Sequence, residues 1–142
     1  MSNTTGPYSR FQLKQYIEQT QNDLFADRQL RLMIENGNRQ VVGIVDLCSF
    51  DPLHNRAEVG IMVDKSCRRR GIGRNALALL EEHCFRYLGI HQLFAYIAVE
   101  NLPSRRLFAA CGYKESAVLK EWAHTFGGGY TDVLVVQKLN LS

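Results

Sequence analysis

The chain has 142 residues and is 46% hydrophobic, enough for one domain with its own core and too short for two ordinary ones. Its 17 basic and 14 acidic residues leave a net charge of only +3, which argues against nucleic acid as a partner; the basic excess is local, with Lys65, Arg68, Arg69, Arg70 and Arg74 inside ten positions. Cys48, Cys67, Cys84 and Cys111 form no CxxC and stand at no zinc spacing, and no apolar run reaches bilayer length, so no metal, no membrane and a cytoplasmic location are expected.

Ser9 precedes "RFQLKQYIEQTQNDL", in which Phe11 or Leu13, Tyr16, Ile17 and Leu24 recur at helical spacing, and this predicts a first helix capped by Ser9. "RQLRLMIE" then alternates Leu30, Leu32 and Ile34 with mostly polar residues, Asn36 and Gly37 make a turn, and "QVVGIVDLCSF" is rich in β-branched residues, which predicts a hairpin. After the loop "DPLHN", the stretch "RAEVGIMV" alternates Ala57, Val59, Ile61 and Val63 against Glu58, Gly60 and Met62, a third strand. From Asn75 to Leu88 an apolar stripe of Leu77, Leu80, Cys84 and Leu88 predicts a helix, with Gly89 where a C-terminal cap belongs. "HQLFAYIAVE" is the next strand, and the intervening helix makes it parallel to the one before. Pro103 opens a short helix over "SRRLFAA" that Gly112 ends; "YKESAVLKEW" and "YTDVLVVQKL" then form a hairpin across Gly127, Gly128 and Gly129.

The stretch "DKSCRRRGIGRNALALL" joins a strand to a helix through arginines and glycines. A helix N-terminus presents unpaired amides and partial positive charge, so such a junction suits an anion. Gly71 and Gly73 remove side chains that would hold a phosphate away, and the arginines add charged donors. For a bare GxG, an ordinary tight connection with a solvated basic run is the better reading. Gly71, Gly73 and Ala76 also satisfy GxGxxA, with Glu100 closing the next strand, but the alternating strand before the loop and the two hairpins do not suit a doubly wound sheet. No GK[ST] follows, which excludes a P-loop.

Arg68-Arg69-Arg70-Gly71-Ile72-Gly73 matches R-x-x-G-x-G; with "AEVGIMV" before it and "VENLPSRRLFAACGY" after it, the sequence from about Ser9 to Leu139 resembles the GNAT superfamily of N-acetyltransferases. Within it the "GGYTDVL" ending is similar to the branch of ribosomal-protein N-terminal acetyltransferases and spermidine acetyltransferase. The resemblance implies an α/β (α+β) fold: a mixed, mostly antiparallel sheet with one parallel, splayed strand pair, flanked by helices. It implies one domain over 1–142 that lacks the family's usual first strand and helix, leaving a sheet edge open to pairing with another chain, which reads either as a shortened chain or as a homo-oligomer in which a second copy compensates.

The resemblance also implies acetyl-CoA as cosubstrate and a primary amine as acceptor: a polyamine, a protein N-terminus or a small amine. Backbone groups of Ile61, Met62 and Val63 would pair with the pantetheine arm; the loop of Arg68, Arg69, Arg70, Gly71, Ile72, Gly73 and Arg74 would take the pyrophosphate; Asn101 would bond the cofactor, with Ser104 near its sulfur. An amide aimed at the developing oxyanion would stabilise the transition state. For the catalytic pair we take Glu58, on one strand face with Gly60 and Met62, as base, and Ser104 as acid, because the tyrosine many members carry is here Phe108. Glu58 also reads as a solvent-facing strand residue, Asn101 as a loop residue or local cap, and Ser104 as a first-turn residue. Tyr96 and Tyr113 remain further acids, and protonation by solvent stays open. On the amine side Asp46, Asp51, His54, Trp122 and His124 join Glu58, a set suited to a cationic amine. Two non-enzymatic readings stay open: an acetyl-CoA-binding module without turnover, and a polyanion-binding module that uses the arginine cluster.

Overall fold

The structure is a computed structural model that describes residues 12–15, 24, 28–67 and 71–141. Seven strands make one sheet: β1 (Gln12–Gln15), β2 (Leu30–Glu35), β3 (Val41–Asp51), β4 (Arg56–Val63), β5 (Gln92–Ala98), β6 (Lys114–His124) and β7 (Tyr130–Leu139), in the spatial order β1-β2-β3-β4-β5-β7-β6. Helix α1 (Ile72–Glu82) runs on into a π-helical turn at His83–Tyr87 and connects β4 to β5; α2 (Leu102–Ala110) connects β5 to β6. Every strand pair is antiparallel except β4 with β5. The expected mixed, mostly antiparallel sheet is therefore present.

Alternation along the strands decides which face is buried. Val45 and Leu47 of β3, Ala57 and Val59 of β4, and Leu93, Ala95 and Ile97 of β5 point to one face, where Leu77, Leu80 and Cys84 of the α1 stripe and Phe108 of α2 cover them. Glu58 and Gly60 lie on the opposite face and are half-buried, while Met62 beside them is 71% exposed.

The predicted first helix is corrected at Gln12–Gln15, which is a strand: Leu13 pairs with Ile34 and Gln15 with Leu32. Phe11 and Leu13 also alternate with Gln12 and Lys14, so the local pattern serves either period, and pairing with β2 decides for the strand. The rest of that stretch lies outside the described residues except Leu24, which is helical and buried. β1 lies beside β2, and the outer strands of the described sheet are β1 and β6. The turn at Asn36 is closed by its own side chain, whose Oδ1 accepts the amides of Asn38 at 2.8 Å and Gln40 at 3.0 Å.

Gly43 is where β3 must pass under the end of β4. A Cβ there would stand 2.6 Å from the Met62 carbonyl oxygen, 3.1 Å from Ile34 Cδ1 and 3.2 Å from Val63 Cα. Two of those neighbours are backbone, so neither yields without moving β4. Gly43→Ala is expected to lower stability by about 1–3 kcal/mol, as overpacking does, and a urea melt would measure it; a melt unchanged from wild type would show that β4 shifts freely.

Candidate active site

Strand β4 bonds to β3 up to Val63, but its pairing with β5 stops early. The parallel register runs Arg56 with Gln92, Ala57 with Leu93 and Glu58 with Phe94, and ends there. Beyond it β5 keeps its other neighbour, β7, up to Ala98. The two strands therefore part over Val59 to Met62, and the cleft between them is lined by backbone. The partly buried side chains of Ile61 and Val63 pack against Ile34, Val42, Ile72 and Ala76, so what these residues offer the cleft is main chain.

At the open end of this cleft stands the N-terminus of α1. Gly71 is its N-cap in the left-handed conformation, φ 75° and ψ 8°, which a side chain disfavours. Asn75 donates the first intrahelical bond, to the Gly71 carbonyl at 2.9 Å, so the amides of Ile72, Gly73 and Arg74 precede the ladder and carry the positive end of the helix dipole. Gly73 has a second role that the spacing did not show. A Cβ on it would meet Leu107 Cδ2 at 3.2 Å and Ile61 Cδ1 at 3.7 Å, so its bareness lets α1 approach α2 and β4. Arg68, Arg69 and Arg70 lie outside the described residues; Arg74 is exposed.

Helix α2 begins beside the end of β5. Asn101 is its N-cap and accepts the Ser104 amide through Oδ1 at 3.3 Å, while its backbone carbonyl accepts Arg105 N–H at 3.1 Å. The local-cap role is thus observed, and the Asn101 amide nitrogen keeps its two donors. Ser104 is half-buried in the first turn.

Glu58 occupies the last rung before the strands part. Its cross-strand partners are Cys48 on β3 and Phe94 on β5. Asp46 on β3 sits opposite Gly60, its Oδ1 3.2 Å from where a Cβ on Gly60 would be, and Arg31 on β2 holds its Oδ2 through Nε at 3.2 Å and Nη2 at 3.0 Å. Burial, with the Glu58 and then the Asp46 carboxylate adding to it, pushes the Cys48 thiol up to about 11. Tyr96 lies on the same face, 45% exposed and edge-on to Phe94 at 5.8 Å, where β5 has left β4. The structure thus brings Asp46 and Glu58 together beside Gly60, with Phe94 and then Tyr96 following on the same face of β5. Sequence periodicity could not have placed Cys48 or Tyr96 there, because their proximity is a matter of register between strands.

Other expected residues fall elsewhere. Asp51 ends β3 and His54 sits in the loop that follows, at the closed end of the strand pair: Asp51 Oδ1 accepts the amides of Leu53 and His54, and Oδ2 meets His54 Nδ1 at 2.9 Å. That bond, with the backbone amide of His54, holds the exposed Asp51 carboxyl down at about 2. Asp51 is therefore a turn former. Trp122 and His124 are on β6, separated from β5 by β7, with His124 edge-on to Tyr130 at 5.1 Å. Phe108 is buried in the core against Tyr113, ring centroids 4.9 Å apart. Tyr113 lies beside Glu81, ten residues and about 15 Å along α1 from Gly71. Burial, and secondarily the Glu81 carboxylate, pushes its hydroxyl far above the ordinary tyrosine range, so it is no proton donor for the cleft.

No group of three His, Cys, Asp or Glu able to hold a metal occurs among the described residues, and no described helix is long and apolar enough to cross a membrane.

This chain is similar to known proteins. Spermidine N(1)-acetyltransferase of Vibrio cholerae is 27% identical over 128 residues, which cover 89% of this chain and 72% of that protein. The putative phosphinothricin acetyltransferase YwnH of Bacillus subtilis is 34% identical over 102 residues, 68% of this chain and 59% of that one. The structure of spermidine/spermine N-acetyltransferase SpeG from Vibrio cholerae with manganese ions superimposes with a TM-score of 0.83 over 95% of each chain, at 20% identity, a likeness of fold. Residues 1–114 match the family model described as Acetyltransferase (GNAT) domain, and the chain belongs to that family of acetyl-transferring enzymes.

Proposed function

We propose that this chain transfers an acetyl group from acetyl-CoA to a primary amine by direct attack in a ternary complex, with Glu58 as general base. The observation that carries the reading is the parting of β4 from β5 just after Glu58 and Phe94, with the first turn of α1 at the open end. An extended, amide-bearing arm ending in phosphates fits that pairing of features: main chain along the cleft, then the amides of Ile72, Gly73 and Arg74 behind the left-handed Gly71. Acetyl-CoA, when bound, supplies an acyl group activated as a thioester toward an uncharged amine nitrogen.

The remaining chemistry belongs to this chain. Ile61, Met62 and Val63 offer backbone along the cleft, Asn101 offers its amide donors from the facing helix, and an amide aimed at a developing oxyanion lowers the barrier. Acceptor amines are protonated at neutral pH, so nitrogen must first lose a proton, and Glu58 stands beside the space left by Gly60 to receive it. The carboxylates of Glu58 and Asp46, with the Phe94 and Tyr96 rings, make that face suited to a cationic acceptor. Similarity to spermidine N(1)-acetyltransferase supports a polyamine, and protein N-termini and small amines fit the same chemistry. Ser104, in the first turn of α2, is the residue we assign to protonate the departing thiolate, since Phe108 has no proton to give.

Calorimetric titration of acetyl-CoA into the protein, with NAD as control, tests the reading; spermidine and an N-terminal peptide then follow into the same cell. Binding of acetyl-CoA alone is expected, with acceptor-dependent release of coenzyme A. Gly71→Val forces a β-branched residue to φ 75°, a strain of about 1–3 kcal/mol, and should weaken binding by roughly tenfold. Binding with no turnover for any amine would favour the regulatory reading that buried Phe108 permits, and no binding at all would sink both.

A further inference from the structure

We propose that Cys48 is a positioning residue for Glu58: its S–H donates to the Glu58 carboxylate and turns the free carboxylate oxygen toward the space over Gly60, a role that rests on Glu58 being the base.

The geometry singles out this thiol. Cys48 and Glu58 are direct partners across β3 and β4, on the same sheet face and both half-buried, so their Cβ atoms lie about 4.5–5.5 Å apart. On the other flank Glu58 meets Phe94, which has no hydrogen bond to give. Along its own strand the neighbours on that face are Gly60, which has no side chain, and Arg56, whose Nη2 is drawn 3.7 Å from Asp51 at the closed end. On the diagonals stand Asp46, whose Oδ2 Arg31 occupies, and Tyr96 beyond Phe94. Among the described residues that face Glu58 from β2, β3, β4 and β5, Cys48 is thus the donor directly opposite the carboxylate.

A thiol serves only if it keeps its proton. Burial and the two carboxylates hold Cys48 at about 11, so at neutral pH it is a donor and not a competing anion. The bond is weak but its consequence is geometric. A carboxylate with no fixed partner turns about its last torsion, and a base that must meet an ammonium at hydrogen-bond distance loses rate when it wanders.

Steady-state kinetics with saturating acetyl-CoA and spermidine, read as coenzyme A by chromatography, test the role in Cys48→Ala, Cys48→Ser and Glu58→Gln. Cys48→Ala is expected to lower kcat by about tenfold, the cost of a loosened base, with little change in acceptor KM. Cys48→Ser, which restores a donor, should recover most of that loss; a merely structural role would predict no such rescue. A second measurement reads the contact without catalysis: alkylation of Cys48 by iodoacetamide at pH 8, followed peptide by peptide, should run several-fold faster in Glu58→Gln than in wild type, because removing the carboxylate frees the thiolate. Cys48→Ala with wild-type kcat, or alkylation indifferent to Glu58→Gln, would overturn the proposal and leave the base assignment standing. A Glu58→Gln variant that keeps most of the activity would overturn the base assignment itself, and the positioning role with it.

Discussion

Exchanging Glu58 for glutamine is expected to lower kcat by about two to four orders of magnitude, the usual contribution of a positioned general base, while acceptor KM changes little. The argument begins with what the substitution conserves. Glutamine keeps the length and shape of the side chain, so the rung between Cys48 and Phe94 and the parting of β4 from β5 above it survive. What is lost is a basic oxygen beside Gly60, where the nitrogen to be acylated must shed a proton. An interaction used only in the transition state appears in kcat and kcat/KM alike; one used to hold a cationic acceptor appears in KM. Asp46 is the internal control, since it stands on the same face and is already engaged by Arg31. Asp46→Asn should therefore raise KM for a charged acceptor more than it lowers kcat. The reverse pattern, a KM effect at Glu58 and a kcat effect at Asp46, would move the base from β4 to β3.

How much of this site could be read from residues alone depended on whether the signal was local. Strand β4 was legible to its ends, because Ala57, Val59, Ile61 and Val63 alternate without interruption from Arg56 to Val63. The stripe of Leu77, Leu80 and Cys84 was equally plain, and so was the parallel relation of β4 to β5, which follows from the helix between them; at Asn101 a loop residue and a local cap both fitted the spacing, and the Ser104 amide decides for the cap. Gly71 could be placed at the head of α1 because a strand-to-helix junction is a contiguous feature. Four residues at Gln12–Gln15 could not, because so short a stretch supports two periods and only pairing with β2 chooses between them. Asp51 and His54 stood near Glu58 in sequence yet lie at the far end of β4, since an antiparallel hairpin returns its loop to the end opposite the cleft. Trp122 and His124 were misplaced for a related reason: β7 enters the sheet between β5 and β6, a crossover that residue spacing does not encode. The Cys48–Glu58 pair depends on register, where a slip of one residue would move either side chain to the other face.

The cleft also depends on a contact far from it, and Lys138→Met is expected to cost about 3–5 kcal/mol, the usual price of breaking a buried ion pair from one side. Lys138 reaches from β7 to donate to Glu81 Oε1 at 2.6 Å and to the Cys111 carbonyl at 2.6 Å, and its ammonium lies 5.9 Å from the centre of the Tyr113 ring. The Glu81 side chain is only 9% exposed, so its carboxylate is shut away from water, while Lys138 at 29% is partly open to it. One ammonium thus ties the end of α1, the end of α2 and the sheet. Methionine keeps the stem and its packing but leaves the Glu81 carboxylate without its cation and the helix-end carbonyl without its donor. A urea melt should show the loss, and thermal unfolding a fall in melting temperature of roughly 10 °C. Adding Glu81→Leu to Lys138→Met should recover much of it, since an apolar pair of similar volume avoids both desolvation costs. The consequence for function follows from rigidity: α2 carries Asn101 and Ser104 at the end opposite Cys111, and α1 carries Gly71 at the end opposite Glu81. If the double variant regains stability but binds acetyl-CoA more weakly than wild type, the tie sets the angle between the two helix N-termini as well as holding them. If stability and affinity recover together, packing alone fixes that angle, and Gly73 against Leu107 is the contact that does it.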